Sequence, residues 1–191
     1  KVWDLCKHSI QATTFCGIYV DGDRERIPYE ADAYINQLSP YGTDAEYSMA
    51  RYSVDYLMEW PTWPTEWIMQ SILMMWNDFL YTGDPSLLQR HYSSLHARTL
   101  SALCDSTGLI STKNGKQTKE FLKSIGFRGK AIRDIVEWPQ SGALGIEKTE
   151  AGEADGYELT TYNTVVNAYH YKTLIVMSEI AMLLNQPNDA D

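Results

Sequence analysis

What the sequence lacks narrows it first. Positive charge is in deficit: 16 Lys and Arg face 25 Asp and Glu, giving a net charge of −9 and an isoelectric point near 4.9. A basic face is what neutralises phosphates, so this balance argues against nucleic-acid binding and against docking on anionic lipid. Long apolar runs are missing as well. Crossing a bilayer takes roughly 20 apolar residues, and the longest candidate here, Ile68 to Trp76, is far shorter. Only three cysteines occur, Cys6, Cys16 and Cys104, with no CxxC pair and no zinc spacing. An odd count leaves the redox compartment open, and spacing alone does not say whether Cys6 meets Cys16. The four histidines, His8, His91, His96 and His170, show no HExxH or paired-ligand spacing and read as packing or surface residues. Internal repeats and low-complexity tracts are absent. Phenylalanine is scarce too, at 4, against 6 Trp and 13 Tyr.

What is present describes an ordinary folded chain. Hydrophobic residues make up 44% and charged residues 21%, which suits a packed core rather than a disordered segment. At 191 residues the chain is one domain or a large piece of one. Tyr and Trp carry a flat apolar face and a polar edge, so their abundance fits an amphipathic core and sugar-stacking surfaces alike. The chain opens on Lys1 without an initiator Met or a signal-peptide core, and is expected to be a processed or excised piece.

Helical periodicity dominates. Apolar residues fall at i, i+3, i+4 and i+7 in Glu46–Met58, in Glu66–Tyr81 and, over the longest stretch, in Tyr162–Leu184. Val2–Thr14 and Pro85–Leu103 are weaker helix candidates. Gly17–Val20 and Asp134–Trp138 are short strand candidates, and the Gly- and Lys-containing stretch Asp105–Ala131 reads as loops or a hairpin. In Gly83-Asp84-Pro85 the residues suit a left-handed C-terminal position, an N-cap and a first helical residue. So short a link turns two helices back on each other. Thr65 is placed to cap the helix after the aromatic run Trp60-Pro61-Thr62-Trp63-Pro64, and Met69, Met74 and Met75 read as core filler. The class is all-α, built of stacked helical hairpins. A second turn at Leu184–Asp189 follows a long helix that wants a partner, so the native domain is expected to continue past Asp191.

One segment is out of character. Asp21 to Asp32 holds five acids in twelve residues, where the chain average supplies between one and two. Gly22 and Pro28 disfavour a regular helix through its middle, which leaves a loop on a helical frame, a usual seat for catalytic groups. Three readings stand. The acids pair with Arg24 and Arg26 on a solvated loop. Or Asp21, Asp23, Glu25 and Asp32 fill positions 1, 3, 5 and 12 of a calcium loop, against which Arg26 stands where Gly is wanted and Asp32 where a bidentate Glu belongs. Or the cluster does acid chemistry on a glycoside, which needs one protonated carboxyl beside ionised neighbours.

The stretch Tyr19-Val20-Asp21-Gly22-Asp23-Arg24-Glu25-Arg26-Ile27-Pro28-Tyr29-Glu30-Ala31-Asp32 closely resembles the active-site signature of bacterial α-L-rhamnosidases of glycoside hydrolase family 78. Trp67 with Thr82-Gly83-Asp84, Val136-Glu137-Trp138-Pro139, and Asp155-Gly156-Tyr157 followed by Tyr162–Ala168 extend the resemblance in that family's order. It implies an (α/α)6 barrel of six helical hairpins and inverting hydrolysis of terminal α-L-rhamnose, with no cofactor and no metal. Carried over by position, Glu25 matches the general acid, Asp21 and Asp32 the acids that bind sugar hydroxyls, and Arg24 the arginine beside the acid. Tyr29 stands where many members carry a stacking Trp, and Trp138 and Trp67 match pocket-lining tryptophans, with Trp63 close behind. No Glu here matches the family's general base. The expectation is an N-terminal part of the barrel, 1–191, whose partners are a rhamnose-containing oligosaccharide or glycoside and the remainder of its own catalytic domain. Alone, that piece is expected to be inactive. Work in the periplasm or outside the cell is implied by the resemblance only. The alternative is a non-catalytic helical module that binds carbohydrate or is stabilised by calcium.

Overall fold

In a computed structural model the structure describes residues 1–22, 25–136 and 160–190. Among these residues seven α-helices and a two-stranded ribbon run in the order α1 (Val2–Ala12), β1 (Thr14–Phe15), β2 (Ile18–Tyr19), α2 (Glu30–Thr43), α3 (Ser48–Glu59), α4 (Thr65–Thr82), α5 (Ser86–Arg98), α6 (Lys119–Ser124) and α7 (Thr164–Leu183). The three strongest periodic stretches are α3, α4 and α7. The Gly17–Val20 run contributes β2, paired antiparallel to β1 with Thr14 opposite Tyr19. Among the described residues no helix is long and apolar enough to cross a membrane.

Helix α4 is the centre of the frame. It touches α2, α3, α5 and α7, and it buries residues all round its axis, including Ile68, Met69, Ile72, Met74 and Met75. A helix apolar on every side belongs in the middle of a core. The flanking helices are one-sided: α3 buries Ala50, Val54, Leu57 and Met58, and α7 buries Val166, Thr173, Val176, Met177 and Ile180. A second cluster forms at the start of α4, where Ile68 and Met69 meet Leu100, Leu103, Ile110, Phe121, Leu122, Ile125, Ile132 and Val166. This pins the long 101–135 connection onto one end of the helical frame.

The α4–α5 junction works as its residues suggest. Gly83 sits at φ 70°, the left-handed region that glycine enters without a Cβ clash. Helix α5 starts one residue later than expected, at Ser86 with Pro85 in the N-cap position, so Asp84 stands just outside it and its Oδ1 accepts the Ser86 N–H at 2.9 Å. The Asp84 carboxylate also takes a 2.7 Å ion pair from Arg51 of α3, which ties the turn to the neighbouring hairpin.

Five expectations are corrected. Helix α2 begins inside the acidic segment, at Glu30, and had no periodic signal because Pro40 and Gly42 interrupt it. Asp105–Ala131 contains the short helix α6 rather than a hairpin, capped by Thr118, which accepts the Phe121 N–H. Asp134–Val136 is no strand; the described part of Asp134–Trp138 is preceded by a single parallel bridge, Pro64 to Arg133, and the rest lies outside the described residues. Thr65 is the first helical residue of α4, the N-cap position falling to Pro64, and its buried hydroxyl makes no capping bond. Pro85–Leu103 ends as an α-helix at Arg98, since Leu100 turns to φ 63° and starts a 3-10 turn.

Candidate active site

The acidic loop is closed by its own backbone. Asp21 N–H donates to Ile27 O at 3.0 Å, Asp21 Oδ1 accepts Ile27 N–H at 3.1 Å, and Arg26 N–H donates to Gly22 O at 3.2 Å. Glu25 therefore stands at the tip of a tight turn. Arg26 pays a conformational cost, since it is a non-glycine residue at φ 56°, in a region that side chains disfavour. The base of the turn is rigid: Tyr19 and Val20 are buried, Tyr19 N–H reaches Ser53 Oγ at 3.0 Å, and Val20 N–H reaches Thr13 O at 3.0 Å.

Five of the seven expected site residues meet here. The Tyr29 hydroxyl donates to Glu25 Oε2 at 3.2 Å. The Tyr29 ring packs edge-on against Trp67, with centroids 5.2 Å apart and planes at 72°, a favourable arrangement for two aromatic quadrupoles. Burial, then the charge and hydrogen bond of Glu25, then the charges of Asp21 and Asp32 push the Tyr29 hydroxyl up to about 12. It keeps its proton throughout the physiological range and serves as a donor. Burial first, then the neighbouring charges of Asp21 and Glu25, raise Asp32 above the usual carboxylate range. Asp21, Glu25, Tyr29 and Asp32 thus form one electrostatically coupled group, with Trp67 packed against the Tyr29 ring. Arg24 and Trp138, with Asp23, Glu137 and Asp155-Gly156-Tyr157, lie outside the described residues. Trp63 turns elsewhere, its ring under the Arg133 guanidinium at 4.9 Å. Among the described residues no three His, Cys, Asp or Glu side chains converge as a metal site would need.

Two buried carboxylates support the group, and sequence reading gave neither a role. Glu30 is fully buried at the start of α2, and its Oε1 accepts the Thr62 N–H at 3.0 Å while Oε2 accepts the Thr62 hydroxyl. It fastens the Trp60–Pro64 loop to the helix that carries Asp32. Burial raises its pKa, opposed by Thr62 and by the positive charge of Arg98. Arg98 is itself fully buried, donating to Leu57 O, to Met58 O at 2.8 Å and to Ser71 Oγ at 3.2 Å. Glu66, next to Trp67 in the first turn of α4, is 2% exposed; its Oε1 accepts the N–H groups of Ile135 at 3.2 Å and Val136 at 2.6 Å. Val136 is a β-branched residue at φ 59°, so the clamp holds a strained backbone just before Glu137-Trp138-Pro139. The one available sequence signal was the position of each Glu beside an expected site residue; their partners lie 32 to 70 positions away.

Other stretches that carried the resemblance do structural work. Asn163 caps α7 by accepting the Val165 and Val166 N–H groups, and Asn167 exchanges hydrogen bonds with Ile110 N–H at 2.9 Å and Ile110 O at 3.1 Å. His170 is buried, bonded through Nδ1 to Thr99 O at 2.6 Å and through Nε2 to Cys104 Sγ at 3.4 Å. Cys6 and Cys16 are free and exposed.

The frame of packed helices presents an aromatic-flanked carboxylate cluster on a short loop, an arrangement suited to acid chemistry on a glycoside. The chain matches the bacterial α-L-rhamnosidase six-hairpin glycosidase domain over residues 1–191, and it belongs to that family. No curated protein and no solved structure matches it.

Proposed function

We propose that this domain forms the acid side of an inverting active site that releases terminal α-L-rhamnose, with Glu25 as the general acid. The observation that carries this reading is the convergence of Glu25 with Asp21, Asp32, Tyr29 and Trp67 in a chain of this family. Glu25 gives its proton to the glycosidic oxygen as the bond from that oxygen to the anomeric carbon breaks, the electron pair staying on oxygen. Water then adds to the anomeric carbon from the opposite face and loses its proton to a second carboxylate. Inverting enzymes keep the two carboxyls about 6.5–9.5 Å apart to admit that water. Asp21 and Asp32 hold the sugar hydroxyls, Arg24 and Trp138 complete the pocket, and Trp67 supplies an aromatic wall.

The second carboxylate lies, on this reading, outside these 191 residues, which form the N-terminal part of an (α/α)6 barrel. The outward face of α7 supports this, since Val165, Tyr171, Leu174, Ile175 and Met182 stand exposed on it and suit a further hairpin. The substrate is a rhamnoside handled without cofactor. The test follows products of terminal glycosides by proton NMR with the full-length enzyme. Release of L-rhamnose as its β-anomer first is expected, and the 191-residue chain alone is expected to be silent. Release of the α-anomer first contradicts inversion. Sugar binding without turnover by the full-length protein points to a binding module, and turnover by the short chain refutes an external base.

A further inference from the structure

Tyr29 occupies a position where a flat sugar-stacking ring was expected, yet its hydroxyl and its ring are both engaged within the protein. The hydroxyl donates to Glu25 Oε2 at 3.2 Å, and the ring is braced edge-on by Trp67 at 5.2 Å. We propose that Tyr29 is a positioning residue for the general acid rather than a platform for the sugar. This rests on the reading of Glu25 as the acid.

The chemistry follows from which oxygen is held. A carboxylic acid accepts an O–H bond on its carbonyl oxygen, so a donor fixed on Oε2 leaves the acid proton on Oε1. That selects one oxygen as the donor to the glycosidic bond and fixes its direction. As the Oε1 proton passes to the leaving oxygen, Glu25 becomes a carboxylate. The Tyr29 bond then changes from neutral to charge-assisted, roughly doubling in strength. An interaction stronger in the transition state than in the ground state accelerates the step, where equal binding of both does not. The surroundings favour the donor role. Asp21 and Asp32 both raise the cost of ionising Tyr29, and burial does so more strongly than either, so the phenol stays protonated. Trp67 packs edge-on against the ring, and Glu66 beside it is bonded to the 135–136 backbone.

The test compares wild type, Tyr29→Phe and Tyr29→Ala in the full-length enzyme on an alkyl and a nitrophenyl α-L-rhamnoside. Phe keeps the ring against Trp67 and removes only the donor. For a positioning role, Tyr29→Phe lowers kcat about tenfold on the alkyl substrate, the order of what is gained when a neutral hydrogen bond becomes charge-assisted. KM stays unchanged, and the nitrophenyl substrate, which needs little protonation, is hardly affected. The basic limb of the pH profile moves upward, because a carboxylate that loses a donor holds its proton more tightly. If Tyr29→Phe matches wild type while Tyr29→Ala raises KM, the residue is a sugar platform and the proposal is overturned. An alkyl-substrate kcat and pH profile unchanged in Tyr29→Phe overturn it as well. A wild-type enzyme silent on every rhamnoside overturns the underlying reading and this role with it, and is distinguished from failure of the role alone by the turnover of wild type.

Discussion

Removing the Glu66 side chain should loosen one wall of the site without touching the acid cluster. Its Oε1 takes two backbone N–H groups, from Ile135 and Val136, in a setting where Glu66 and Ile135 are each only 2% exposed. Hydrogen bonds to a charged group contribute about 1.5–3 kcal/mol each. Water can replace part of the loss at Val136, which is only partly buried, so Glu66→Ala should cost about 2–4 kcal/mol. Glu66→Gln is the control. Its amide oxygen can occupy the Oε1 position and keep both short bonds, while Oε2 makes only a 3.4 Å contact with Ile135 N. With charge assistance lost but the acceptor kept, the Gln variant should cost about 1 kcal/mol. With a urea slope of about 2 kcal/mol/M, the Ala midpoint should fall by roughly 1–2 M and the Gln midpoint by about 0.5 M. Amide exchange should show where the loss falls, with the Ile135 and Val136 protons accelerated in Glu66→Ala and nearly native in Glu66→Gln. Equal midpoints for the two variants would refute the reasoning, because the carboxylate oxygen would then not be the anchor of that backbone.

Two other outcomes test the buried polar frame. Arg98→Met should destabilise by about 3–5 kcal/mol, since it strips donors from the last carbonyls of α3 and leaves Glu30 buried without its nearby positive charge; a urea midpoint near that of wild type would contradict this. Glu30→Gln should gain on wild type as pH rises from 4 towards 8. Burial raises the folded-state pKa of Glu30, so the folded chain holds that proton more tightly than the unfolded chain, and the stability it lends in acid is lost as pH rises through the raised value. Paired urea midpoints across that range check the sign, and a difference moving in favour of the native Glu would show that Arg98 outweighs burial.

How much of this was legible in the sequence follows from the range of each interaction. Helices α3, α4 and α7 were visible because one apolar stripe, read locally, matches the face each buries. The Gly83-Asp84-Pro85 turn was legible for the same reason, since its conformations are set by adjacent residues. Helix α2 was not, because Pro40 and Gly42 sit within it and its stability comes from contacts with α4 such as Gln37 Nε2 to Met74 O at 2.9 Å and Tyr41 to Asp78 at 2.7 Å. The grouping of Asp21, Glu25, Tyr29 and Asp32 could be read from one segment, and Trp67 from the resemblance. The orientation of Tyr29 could not, since a tyrosine ring that stacks on a ligand and one that holds a carboxylate look alike in sequence. Glu30 and Glu66 stayed hidden because a buried acid is defined by distant partners. Arg24 and Trp138 remain placed by resemblance alone.

The central claim is that Glu25 is the proton donor in glycoside cleavage. Its most direct test is hydrolysis of an alkyl α-L-rhamnoside by the full-length enzyme, wild type beside Glu25→Gln, with a nitrophenyl rhamnoside in parallel. Loss of a general acid should lower kcat/KM on the alkyl substrate by about 10²–10⁴, with a much smaller loss on the nitrophenyl substrate. Equal turnover of the alkyl rhamnoside by the two proteins would contradict the account and return the acidic loop to a structural role.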